Sequence, residues 1–273
     1  LQDYFRRLSI PIMLIALLSL SFTAAGCNGG SPRAEVSQID QTLRAGTSQL
    51  AEVTGFIGAI KEFNFENANF LQNAFNSINT SRSELQTLQA SIDKLGKISY
   101  NGKLKKLGEY MQQYIEASRD GIAELGEVYD GLEQVLKAIE PALREEAVIT
   151  QLNEPGNDAE LLQRLKKLES ALVPVINNLE SVQVPNLLAA YKALFRDIFA
   201  TLLKLTESLI VVASGGPKGI DLENNPDFDH MSQLIAGYSS LVEELYDGLK
   251  VSKIDAILEQ VELEINRLYL GEG

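Results

Sequence analysis

The strongest constraint on the fold is a rhythm: from Val36 to Leu268, apolar side chains recur in steps of three and four, broken only at short polar stretches. That spacing puts one apolar stripe on each α-helix and suits no strand, whose faces alternate every second residue. Ser31-Pro32 supplies an N-cap followed by proline at the first helical position, so the first helix is expected to begin there. Its seam of Val36, Ile39, Leu43, Leu50, Val53, Ile57 and Ile60 is heptad-like, with Gly46 filling one position, and stops near "NFEN". A second helix is predicted from Phe70 to Leu95, ending at "SYNGK", and a third from Leu104 to Pro141, where proline should kink or restart it.

Around "NEPGNDAE" the pattern halts, and Asn157 with Glu160 reads as a capping box for a fourth helix, whose seam runs from Leu161 to Val182. After "QVPN", a fifth helix from Asn186 to Ser214 has the broadest apolar face and is expected to be the most buried. Beyond the loop from Ser214 to Asp229, Met231 to Leu249 and Ile254 to Leu268 form one helix or two, with Val251 to Asp255 as the point of bending. Absent tryptophan, and proline and glycine placed mostly between periodic segments, agree with this reading. The expected fold class is all-α: an elongated antiparallel bundle of six to seven long helices occupying residues 34–273.

Two matches fall at a single offset of 117 positions. "SELQTLQASI" aligns with "ATLLKLTESL", pairing Leu85 with Leu202, Leu88 with Leu205 and Ser91 with Ser208, and "YDGL" occurs at Tyr129 to Leu132 and Tyr246 to Leu249. They suggest two three-helix halves, 34–150 and 151–273. The competing reading is that amphipathic helices match one another by chance.

The N-terminal tenth follows a different logic. Arg6 and Arg7 precede an almost wholly apolar run, Leu8 to Ala25, and small residues then lead to Cys27, the only cysteine. This is the layout of an export signal, although the run is also long enough to span a bilayer uncleaved. The tetrapeptide Ala24-Ala25-Gly26-Cys27 resembles the lipobox of bacterial lipoproteins, with Ala24 where that family usually has leucine. The resemblance implies cleavage between Gly26 and Cys27, removal of 1–26 as signal peptide, a covalent diacylglyceryl lipid on Cys27 and a tether over 27–33. It places the protein on the extracytoplasmic face of a bacterial membrane. In a Gram-negative cell Asn28, rather than aspartate, points to the outer membrane. Two acyl chains anchor stably where one is marginal, and acylation removes a lone thiol that would otherwise be open to oxidation.

Composition narrows the remaining functions. Lys plus Arg number 24 against 37 Asp plus Glu, a net charge of −13, which would repel a polyanion, so no nucleic-acid partner is expected. One histidine, His230, and one cysteine leave no His/Cys metal cluster, no Cys-His dyad and little scope for a serine triad. No Glu-x-x-His pair exists for a di-iron bundle, and the nearest glycine-rich stretch, "SGGPKG", lacks phosphate-loop spacing. No catalytic residue and no cofactor beyond the lipid is therefore expected.

Two features remain open. Asp221, Glu223, Asn225, Asp227 and Asp229 alternate through the long loop and could offer oxygen ligands to Ca²⁺, although an EF-hand would need glycine at Pro226 and glutamate at Ser232. The alternative is an acidic surface loop that caps the next helix. Gly121 beside Ser118, and Gly55 with Gly58, either open a groove for a ligand or partner helix or let neighbouring helices pack closely. The function expected from all this is a lipid-anchored interaction, adaptor or spacer module with a protein partner; the alternative is a small-solute or metal-binding lipoprotein.

Overall fold

The structure is a computed structural model that describes residues 32–59, 70–144, 158–215 and 225–271. Among them lie seven α-helices and no strand: α1 (Pro32–Ala59), α2 (Phe70–Gly96), α3 (Lys105–Arg144), α4 (Asp158–Ser181), α5 (Asn186–Ala213), α6 (Pro226–Gly248) and α7 (Ile254–Leu270). Short 3-10 turns, Gly102–Leu104 and Lys250–Lys253, lead into α3 and α7. The chain is an all-α helical bundle.

α3 is the spine, in contact with α2, α4, α5 and α7. Cross-helix pairs fix the direction of each neighbour. Arg82 reaches Asp130 and Glu133 at 2.5 and 2.6 Å while Arg119 reaches Asp93 at 2.8 Å, so α2 runs antiparallel to α3. α7 also runs antiparallel along the first half of the spine, because the Lys250 amide donates to Glu124 and Lys106 pairs with Glu264. α1 runs parallel to it: a Cβ on Gly46 would lie 3.8 Å from the Tyr114 hydroxyl, and Tyr129 donates to the Val53 carbonyl. One contiguous core joins these elements from Val36 to Ile265.

α5 begins only beside the middle of the spine, where a Cβ on Gly131 would meet Leu188 at 2.6 Å and Pro185 at 2.9 Å. α6 returns antiparallel to α5, with Gly248 against Leu187 and Tyr238 against Tyr191. At about 1.5 Å per residue, α5 therefore runs roughly 20 Å, and α6 roughly 10–15 Å, beyond Arg144, the last described residue of α3. The bundle thus has a proximal end, where α1, α2 and α7 enclose the first half of α3, and a distal arm of α4, α5 and α6.

One expectation changes and two open alternatives narrow. α3 does not restart at Pro141 but continues through it to Arg144; a proline so near the C-terminus removes one donor and is carried by the packing beneath, where Ile139 and Ala142 are buried. α3, not α5, is the most buried helix, since apolar content matters less than the number of neighbours that arrive. Leu249 is extended (φ −68°, ψ 140°), so the last segment is two helices. The 117-residue offset carries α2 onto 187–213, beside the observed Asn186–Ala213, but carries α1 onto 149–176 against Asp158–Ser181. The glycines of both "YDGL" copies, Gly131 and Gly248, make room for the start of α5.

Candidate functional site

Residues expected to carry chemistry fall into three groups. Gly26 and Cys27, like Asp221 and Glu223, lie outside the described residues. Asn225 is the N-cap of α6: its side-chain oxygen accepts from the Asp227 amide at 2.9 Å, with Pro226 in the first turn. Asp227 and Asp229 stand in that turn, where the positive end of the helix favours carboxylates. His230 beside them is exposed. Among the described residues no three His, Cys, Asp or Glu side chains gather as a metal site, and no helix is long and apolar enough to cross a membrane.

Of the two readings of Gly121, groove or close helix packing, the structure shows close packing. A Cβ there would stand 2.7 Å from Val251 Cγ1 and 3.5 Å from Ile254 Cδ1, so the glycine lets the turn before α7 press against the spine. Gly55 faces open space.

Buried polar groups serve the core. Glu264, 3% exposed, holds Arg267 at 2.7 Å on one carboxylate oxygen and Lys106 at 3.2 Å on the other, joining α7 to the start of α3. Tyr129 links α3 to Val53 of α1 and to Ser81 of α2, and burial pushes its hydroxyl up to about 12. Burial likewise raises Tyr114, whose hydroxyl faces Ser118 and Thr47. In the arm, Tyr191 and Tyr238 bring their hydroxyls to 3.4 Å, both raised chiefly by burial, and pack against Phe195, the first tilted and the second edge-on. Such groups fix helix register; none is presented to a solute.

What the sequence did not single out is the outer half of α6. Tyr238, Val242 and Leu245 are buried, yet Phe228 and Ile235, farther up the same stripe, are 42% and 55% exposed, with Met231 and Leu234 half-buried. The signal available was charge: α6 carries Asp227, Asp229, Glu243, Glu244 and Asp247 and, alone among the seven helices, no lysine or arginine. This apolar, acid-bordered face is the candidate site.

No protein-family model matches the chain, and neither a characterised protein nor a solved structure is similar to it.

Proposed function

We propose that this chain is a non-catalytic, lipid-anchored helical-bundle protein on the extracytoplasmic face of a bacterial membrane, acting as an interaction, adaptor or spacer module. The observation that carries this reading is the order Arg6-Arg7, apolar run, Ala24-Ala25-Gly26-Cys27, with a helix beginning at Pro32. That order suits removal of the apolar run, acylation of the cysteine and a tether of a few residues between lipid and bundle. An extended bundle with a continuous core holds its outer end at a fixed distance from such an anchor and offers helix faces to other proteins.

The test follows the lipid and the partner together. Bacteria expressing the full chain, wild type or Cys27→Ser, are fed a clickable fatty acid, fractionated and crosslinked. The reading requires label and membrane retention in the wild type, both lost in the variant, together with a stoichiometric crosslinked protein that depends on Cys27. An unlabelled wild-type protein that fractionates like the variant overturns the anchor; a labelled one without any partner overturns the adaptor role.

A further inference from the structure

We infer that the outer face of α6, formed by Phe228, Met231, Leu234 and Ile235, docks an amphipathic helix of a partner protein that carries lysine or arginine beside its apolar face. The inference rests on the adaptor reading and names the chemistry of its partner.

Continuity is the first argument. The stripe that packs inward at Tyr238, Val242 and Leu245 continues to Ile235 and Phe228, where α5 runs beside it and, among the described residues, leaves the two side chains 55% and 42% exposed. The described part of α1, which reaches Ala59, also touches α6. A helix laid on the outer face would extend the line of packing that already exists inside the molecule, the helix-in-groove mode of recognition.

Charge selects the occupant. Asp227 and Asp229 stand in the first turn beside this face, and α6 itself carries no lysine or arginine along its length. A basic flank on the incoming helix is attracted, and an acidic one is repelled. The same fact argues against a second copy, because a twofold pairing would set α6 against α6 in a chain of net charge −13. The face also sits at the end opposite the start of α1, so an anchor at Cys27 leaves it open to proteins away from the lipid.

The test uses the full chain in phosphatidylcholine nanodiscs and a fluorescent synthetic leucine/lysine amphipathic helix, read by anisotropy with empty discs as reference. A matched leucine/glutamate peptide has the same apolar face. The lysine peptide should bind saturably at one per chain, more weakly as salt rises, and the glutamate peptide should not bind. Phe228→Ser and Ile235→Ser should each weaken binding roughly tenfold with helicity unchanged and the melting temperature lowered only slightly. Leu263→Ser on α7, where the native side chain is 63% exposed, should leave binding as it was.

Equal binding of both peptides, or full binding by both serine variants, overturns the inference. So does a dimer that sedimentation detects and Ile235→Ser abolishes, which would assign the face to a second copy. Acylation of Cys27 is scored separately: a Cys27→Ser chain that loses its lipid and still binds the lysine peptide leaves the surface standing. A lipid-bearing chain that captures a native partner but ignores the peptide removes the surface alone.

Discussion

The two ends of the molecule are built from the same apolar rhythm and differ in what surrounds it. At the proximal end, α1, α2 and α7 enclose α3, and Leu107, Met111, Leu125 and Val128 are wholly buried. In the distal arm, Leu165, Ile198 and Leu205 are buried but lie outside the contiguous core, while α6 is buried only from Tyr238 onward. The lesson is that a helix's apolar stripe specifies what it wants to bury, and the length of its neighbours decides how much it succeeds in burying.

Truncation of a core side chain should separate the two ends most widely. Leu125→Ala removes methyl groups from a closed layer and should cost about 3 kcal/mol, transfer and cavity together. Ile235→Ala, in the arm, should cost under about 1 kcal/mol because much of that side chain already meets water. Urea denaturation of both variants measures the contrast; equal losses would mean that the arm is as closed as the spine.

Glycines give the next largest contrast, with opposite signs. Gly121→Leu drives a side chain into Val251, whose Cα itself lies 3.6 Å from the ideal Cβ, and should destabilise by about 3 kcal/mol. Gly237→Ala, on α6, meets nothing within 4 Å and should stabilise by about 0.5–1 kcal/mol through the gain in helix propensity. Thermal melts of the two variants should move in opposite directions.

These contrasts mark what the sequence could and could not convey. The helix start at Asn186 was legible because the proline and polar break before it act locally. The bend after Gly248 was not, because Leu249 is extended where the next amide, that of Lys250, finds Glu124, a partner 126 positions away. Phe228 and Ile235 keep the same spacing as Tyr238 and Val242, so nothing in the pattern distinguishes the open half of the stripe from the closed half. Likewise Gly121 reads as a gap in a seam until Val251 is placed in it. The lipobox-like segment and the first two acids of the long loop lie outside the described residues, so those readings stand on sequence.

Within the proximal end, Tyr129→Phe isolates one cross-helix bond. It deletes the donor to Val53 and should cost about 1 kcal/mol near neutral pH. Burial raises this hydroxyl to about 12 in the folded chain from an ordinary value of 10, so the stability it contributes is complete below about pH 10 and is lost as pH rises through 12. The variant should therefore draw level with the wild type and then pass it as pH rises toward 12, and a gap unchanged between neutral and alkaline pH would show that the hydroxyl is not the group responsible.

The smallest expected effect tests whether enclosure at the proximal end also carries a cost. Burial in α7 holds the Glu262 carboxyl above its ordinary range; Asp40 and Glu259 push the same way, and Arg44 opposes them. Because the folded value is raised, the neutral acid is the form that folding favours: its contribution is complete below the unfolded value and is lost as pH rises through the folded one. Glu262→Gln, which stays neutral, should be slightly more stable than the wild type near pH 7 and indistinguishable from it below about pH 4. Melting temperatures of the pair across that range cancel every other titrating group. A difference that does not vary with pH would assign the change to packing, and a less stable variant near pH 7 would show that Arg44 holds the ionised carboxylate more firmly than burial opposes it.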